Sequence, residues 1–248
     1  SIPRRTGYVG EMRYGLLNDA RKLDASVLSM TVQRFVALAY SKDTMYQKEK
    51  VRLDKIPVPL LQIEQPRVSI ALEKFSLNID RPILGLCPGA EYGPAKQWPA
   101  YHYARVAREK LSQGWQVWIF GSQKDQLIAQ DIRQQADNHA IDLSGQTSLA
   151  EAIDLMSLCN SVVSNDSGLM HMAASLAIPI VGVYGSSDPG FTPPLGQHTA
   201  TVSLGLDCSP CFKRQCPLGH TNCLEQLTPA RVISIMDELL ASANSEEA

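Results

Sequence analysis

The stretch Asn165-Asp166-Ser167-Gly168-Leu169-Met170-His171 gathers a carboxylate, a hydroxyl, a glycine and an imidazole just after an apolar run. If a helix starts at Gly168, its free amides and positive dipole end favour an anion. The glycine lets those amides approach a ligand closely. His171, in the first turn, reaches the same anion. Asp166 would repel a phosphate, so a hydroxyl is its natural partner. The plainer reading is that Asp166 or Ser167 only caps the helix. A cap explains neither Gly168 nor His171. Lys96 is the second candidate. It lies in Pro88-Gly89-Ala90-Glu91-Tyr92-Gly93-Pro94-Ala95-Lys96-Gln97-Trp98-Pro99, directly before another helix. A cation there opposes the helix dipole unless an anion offsets it. A phosphate contact is one solution, and a plain surface lysine is the other. Gly121-Ser122 forms a third loop, again after an apolar run.

The six cysteines are unevenly spread. Four form the cluster Cys208-x2-Cys211-x4-Cys216-x6-Cys223, with His220 inside it. Four thiolates suit a closed structural zinc site rather than a catalytic one, which needs an open position. Free thiols are the alternative reading. Cys87 and Cys159 sit singly in apolar surroundings. No signal peptide is recognised, so a reducing compartment without a disulfide framework is expected.

These loops need a frame. Ile83–Cys87, Gln116–Phe120, Ala140–Leu143, Ser161–Ser164 and Pro179–Tyr184 read as short apolar strands. Helical patterns alternate with them. Pro99 is expected at the first position of one helix, with Tyr103, Val106, Ala107 and Leu111 inward and Gly114 as its stop. A polar helix is expected over 125–137. Ser148 and Glu151 make a capping box for the next, whose apolar positions are Leu149, Ile153, Met156 and Leu158. A short helix over 168–176 follows the last strand but one. Thr228 and Pro229 open a final helix with Val232, Ile235, Met236, Leu239 and Leu240 on one face. Strands of this kind, alternating with helices, predict a parallel sheet covered on both faces. Ligands then bind beyond the carboxyl ends of the strands, where all three loops lie. Earlier in the chain, Val32, Phe35, Val36 and Ala39 predict a helix within 27–39. The stretch 53–77, with Pro57, Pro59 and Pro66, reads as a linker with extended pieces.

At 248 residues, 44% hydrophobic and 19% charged, the composition is that of a globular α/β protein, not of a disordered or fibrous one. The net charge of −2 excludes a globally basic nucleic-acid binder. Residues 1–60 carry +5 and the remainder −7, so the leading segment suits an anionic partner or simply a solvated surface. No Gly-x-Gly-x-x-Gly, P-loop or Gly-x-Ser-x-Gly motif occurs. Dinucleotide oxidoreductases, P-loop NTPases and α/β-hydrolases are therefore disfavoured, and nucleotide-sugar binding is the natural use of such a sheet.

Taken together, the loops resemble glycosyltransferase family 9, the ADP-heptose lipopolysaccharide heptosyltransferases. The resemblance rests on Arg5-Thr6-Gly7, Pro88-Gly89-Ala90 through Lys96-x-Trp98-Pro99, Phe120-Gly121-Ser122, Asn165-Asp166-Ser167-Gly168-x-x-His171 and Tyr184-Gly185-Ser186-Ser187-Asp188-Pro189. It implies a GT-B fold: a Rossmann-like donor domain, here 79–248, preceded by the end of an acceptor domain and a linker, here 1–78. It implies that Lys96 contacts the donor phosphates and that Asp166 holds heptose hydroxyls; both count as catalytic positions. The amides of Ser167 and Gly168 would hold the diphosphate, supported by His171. Gly89, Ala90, Glu91, Gly121 and Ser122 would line the donor pocket, with Gln146-Thr147 near adenine. Arg4, Arg5 and Arg13 would meet the acidic inner core of the lipid-linked acceptor. The transfer would be inverting, would need no cofactor, and would take place at the inner face of the bacterial inner membrane by a monomeric cytoplasmic protein. The family's base is expected in a Gly-rich loop near its N-terminus. No such loop occurs in this sequence, which opens on Ser1, so the 248 residues alone are expected to bind ADP without transferring heptose. A UDP-sugar enzyme of the same fold and a zinc-stabilised binding module are the competing readings.

Overall fold

A computed structural model describes residues 2–10 and 12–246; Ser1 lies outside it. The chain divides into two compact units. The smaller runs to Val58 and takes in Gly190–Thr192; the larger holds Pro59–Pro189 and the chain from Pro193 onward.

In the smaller unit, β1 (Thr6–Tyr8) pairs in parallel with β2 (Asp19–Arg21), and one helix follows, α1 (Thr31–Ala37). The helix is shorter than the expected 27–39, and its apolar stripe is not buried: Phe35 and Ala39 are exposed. Local polar bonds set both ends. Asp24 takes the backbone N–H and the hydroxyl of Ser26, which holds a turn where the helix was expected to begin. Beyond Ala37, the Arg21 guanidinium donates to the carbonyls of Ala37 and Tyr40 and so closes the helix.

The larger unit opens with α2 (Gln65–Lys74), where a linker was expected. Pro66 sits in the first turn, where a missing N–H costs nothing. Val68 and Ala71 are buried on its inner face. The unit continues through β3 (Ile83–Cys87), α3 (Ala100–Ser112), β4 (Gln116–Ile119), α4 (Gln126–Gln135), β5 (Ile141–Asp142) and α5 (Leu149–Met156). Then come β6 (Ser161–Asn165), α6 (Gly168–Ser175), β7 (Ile180–Val183), β8 (Thr199–Val202), α7 (Asn222–Glu225) and α8 (Pro229–Glu246). Helix α2 packs on α5 through Arg67–Asp154 (3.0 Å) and Lys74–Glu151 (2.6 Å). It therefore belongs to the larger unit, and the division falls after Val58 instead of after residue 78.

The sheet is six-stranded, all parallel, in the order β5-β4-β3-β6-β7-β8. Numbered from β3 this is 3-2-1-4-5-6, the Rossmann order, whose direction of winding reverses between β3 and β6. Strands β3, β4, β6 and β7 are buried along their whole length, as near-continuous apolar runs require. One core, under α3, α4 and α8, includes Tyr103, Val106, Ala107, Val232 and Met236. The other, under α5 and α6, includes Phe120, Leu155, Met156 and Tyr184. Pro99 caps α3 from one position before its first residue. The expected strand 140–143 shrinks to β5, and β8 and α7 carried no readable sequence signal.

Candidate active site

The switch point between β3 and β6 places two of the chemically rich loops side by side. Asn165, fully buried at the end of β6, joins them. Its Oδ1 accepts the Trp98 backbone N–H (3.0 Å) and the Tyr103 hydroxyl (3.0 Å). Its Nδ2 donates to the carbonyls of Pro88 (2.7 Å) and Gly89 (3.3 Å). One amide side chain thus fixes both ends of the 88–98 loop. Trp98 anchors the far end, fully buried, with its indole N–H on the Leu227 carbonyl (2.9 Å). Gly93 is required in the middle. Its φ is +152°, and a Cβ there would lie 2.5 Å from the Arg214 carbonyl oxygen.

This loop delivers Lys96, in a short 3-10 turn (Pro94–Lys96), to Asp166. The Lys96 Nζ–Asp166 Oδ2 distance is 2.6 Å, and the two side chains are 19% and 6% exposed. The anion that offsets Lys96 beside a helix is, in this structure, a carboxylate of the chain itself. Tyr92 sits beneath the cation, 5.1 Å from ring centroid to Nζ.

Helix α6 begins at Gly168 with an open end. Ser167 is the N-cap, but its side chain makes no capping bond, and the first turn holds no acidic residue. The Ser167 hydroxyl meets Ser164 Oγ instead (3.3 Å), and Asp166 is turned to Lys96. The simple capping reading therefore fails, and among the described residues no side-chain hydrogen bond caps the first amides of α6. A Cβ on Gly168 would meet nothing within 4 Å, so no neighbour in the protein demands glycine there. His171 is exposed one turn further on. Desolvation by its surroundings lowers its pKa first; Asp166 opposes this and Lys96 adds to it. The ring is thus kept mainly neutral near pH 7.

Beside this point lies a cleft of about 350 Å³. Gly89, Glu91, Gly121, Ser122, Thr147, Ser167 and Gly168 line it. Ala90, Lys96, Asp166 and His171 lie off its walls. Glu91 is paired with Lys124 (2.6 Å) at the exposed rim. Gln146 turns away to the Asp142 carbonyl. Sequence reasoning missed Asp125 and the apolar wall. Asp125 Oδ2 accepts the Ser122 N–H and hydroxyl, both at 2.7 Å. Its carboxylate fills the space a side chain at Gly89 or Gly121 would need. The Ser122-x-x-Asp125 spacing was the available signal. The wall consists of Leu149, Ala152, Leu169 and Met172. Leu149 was expected in the core; α5 instead buries Ala152, Leu155 and Met156 and leaves Leu149 exposed in the cleft.

In the smaller unit, Arg4 forks onto Asp19 Oδ2 (2.8 and 3.0 Å), and Arg5 donates to the carbonyls of Leu16 and Ile2. Both side chains thus have framework duties. Arg13 lies between β1 and β2. All six cysteines are free thiols. Among the described residues, no three His, Cys, Asp or Glu side chains converge in ligating geometry.

An open helix end beside a lysine, at the switch point of a doubly wound sheet, is the arrangement with which α/β domains of the Rossmann class hold nucleotides. The profile of glycosyltransferase family 9 (heptosyltransferase) matches residues 1–222. The chain belongs to that family and is a glycosyltransferase with the GT-B type of α/β fold. It is 43% identical to lipopolysaccharide heptosyltransferase 2 of Salmonella typhimurium over 247 residues, 97% of this chain and 70% of that one. It is 41% identical to lipooligosaccharide heptosyltransferase 2 of Haemophilus influenzae, over 97% of this chain and 71% of that one. The solved ADP-heptose lipopolysaccharide heptosyltransferase II of E. coli superposes with a TM-score of 0.81 at 40% identity, covering 100% of this chain and 72% of that one.

Proposed function

We propose that this chain supplies the donor-binding and leaving-group side of heptosyl transfer from ADP-heptose to the inner core of lipopolysaccharide, in keeping with relatives named lipopolysaccharide heptosyltransferase 2 and ADP-heptose lipopolysaccharide heptosyltransferase II. The observation that carries the reading is the Lys96–Asp166 pair beside the uncapped end of α6. The donor diphosphate lies on the first amides of α6, and Lys96 turns from Asp166 toward it. Asp166, freed from part of its cation, accepts hydrogen bonds from heptose hydroxyls. The adenine lies on the apolar wall of Leu149, Ala152 and Met172, near Thr147. As the acceptor oxygen bonds to the anomeric carbon and that carbon's bond to ADP breaks, charge grows on the departing ADP, where Lys96 and the helix amides already point; the acceptor's proton passes to a general base, which none of these donor-site residues supplies. The transfer inverts the anomeric centre, and no cofactor takes part in it.

The basic leading segment meets the phosphorylated acceptor. Arg4 and Arg5 contribute the N–H donors left over from Asp19, Leu16 and Ile2. A lipid-linked acceptor puts the work at the inner face of the membrane. Among the described residues, no helix is long and apolar enough to cross it.

Calorimetric titration with ADP and UDP tests the donor half. ADP should bind more tightly than UDP, and Lys96→Ala should weaken ADP by at least about tenfold, ~1.4 kcal/mol. Preference for UDP would point to a different nucleotide sugar. Equal ADP affinity in the variant would remove Lys96 from the site.

A further inference from the structure

Two cations share one aromatic ring beside the donor site. Tyr92 belongs to the loop that carries Lys96. Its ring centroid lies 5.1 Å from the Lys96 Nζ and 5.2 Å from the Arg214 guanidinium carbon. Cations brought this close repel each other unless anions offset them. Lys96 has Asp166. Arg214 is exposed, and among the described residues no carboxylate pairs with it. From Cys208 to Thr221 the chain holds Lys213 and Arg214 and no Asp or Glu, although the sequence after residue 60 is acidic overall.

The backbone of Arg214 is built into the Lys96 loop. Residues 203–221, between β8 and α7, contain no helix or strand, yet the turn 212–214 is tied on both sides. The Arg214 carbonyl accepts the Ala95 N–H (3.1 Å), and it can approach because Gly93 has no side chain. The Phe212 carbonyl accepts the Tyr92 hydroxyl (2.9 Å). The Phe212 N–H donates to the Ser186 carbonyl (2.7 Å), just beyond β7. The guanidinium is thereby held at the ring. A guanidinium over an aromatic ring keeps its N–H groups free to fork onto an oxyanion.

The sheet order fixes which end of the ligand this cation faces. Thr147 and Leu149, in the wall assigned to adenine, follow β5 on one side of β6. Ser186, on which the 212–214 turn rests, follows β7 on the other side. Asp166, at the end of β6, lies between them. Arg214 therefore stands toward the sugar end. A diphosphate carries charge on both phosphoryl groups, and Lys96 with the α6 amides meets only part of it.

We propose that Arg214 is a second phosphate-binding cation of the donor site, and that it holds the sugar-bearing β-phosphoryl group beside Lys96. The inference rests on the donor reading given above. Tyr92 spaces the two cations, and the 212–214 turn keeps Arg214 in place whether or not Lys96 is paired with Asp166.

Calorimetric titration of the chain with ADP and with AMP, which lacks the β-phosphate, tests the contact. Arg214→Ala should weaken ADP about tenfold and change AMP by less than about twofold. Arg214→Lys, which keeps the charge and loses the fork, should fall between the parent and Arg214→Ala. Lys213→Ala is the control for general surface charge and should leave both affinities unchanged. Melting curves of all three variants should match the parent, since both side chains are exposed. Unchanged ADP affinity in Arg214→Ala, with Lys96→Ala still weakening ADP, overturns the role of Arg214 and leaves the donor reading standing. Equal losses for ADP and AMP overturn the phosphate contact and make Arg214 a prop for Tyr92. A folded parent chain that binds neither nucleotide overturns the donor reading, and the second cation with it.

Discussion

Replacing Asn165 with alanine should be among the most damaging single changes in the larger unit that leave the hydrophobic core in place. The side chain is 0% exposed and makes four bonds. Two of its partners have alternatives: the Tyr103 hydroxyl also reaches the Cys87 carbonyl (3.3 Å), and the Pro88 carbonyl has a long contact from Gln97 (3.5 Å). Among the described residues the Trp98 N–H has no other acceptor, and it would be stranded in the core. One orphaned donor costs about 1–3 kcal/mol, and loss of the two carbonyl contacts with a small cavity adds about 1–2 kcal/mol. The sum, roughly 2–5 kcal/mol, is a large part of a total stability of about 5–15 kcal/mol. Urea unfolding should show it as a lower midpoint with an unchanged slope. The melting temperature should fall by about 10 °C, at about 2–4 °C per kcal/mol for a chain of this size. ADP affinity should fall as well, since the same side chain fixes the loop that presents Lys96. A loss below about 1 kcal/mol with ADP binding intact would refute the idea that Asn165 ties β6 to that loop.

Three further outcomes follow from the same geometry. Gly168→Ala should fold with stability within about 0.5 kcal/mol of the parent, since open space surrounds the added methyl, yet should weaken ADP roughly tenfold by crowding the helix end. Parallel melting and calorimetry separate the two effects, and unchanged affinity would show that the ligand does not approach Gly168. Arg67→Ala should cost about 1–3 kcal/mol, because it strands the Asp154 carboxylate, which is only 4% exposed. Denaturant melts of Arg67→Ala beside Arg67→Ala/Asp154→Asn read this, and the double variant should recover part of the loss. Lys74 and the Ser148 cap hold Glu151 down to about pKa 2. The unfolded chain then binds the proton first, so this stability is whole above about pH 4.5 and fades as pH falls toward 2. Glu151→Gln should flatten the melting temperature over that window; an unaltered slope would mean that the tie between α2 and α5 carries no charge linkage.

Sequence alone determined the parts of this protein that rest on local chemistry. Apolar runs punctuated by glycine and proline marked β3, β4, β6 and β7, and their alternation with helices implied the parallel sheet. Ser148 with Glu151, and Thr228 with Pro229, marked helix starts because capping is decided within a few residues. The motif residues likewise named the family, and several of them line the cleft. Elsewhere the pattern misled. Leu149 and Phe35 looked like core but are exposed, because periodicity shows that a helix has an apolar face without showing what lies opposite. Residues 65–74 read as linker, since Pro66 suits a helix start as well as an extended chain, and only packing on α5 decides between them. Tertiary structure decided what the chemical residues do to each other. Lys96 meets Asp166 across 70 positions, Asn165 reaches Pro88 across 77, and Arg67 reaches Asp154 across 87. No local propensity encodes those contacts. The first two exist because the sheet order places β3 beside β6, which brings loops far apart in the chain together at the strand ends; the third exists because α2 packs on α5.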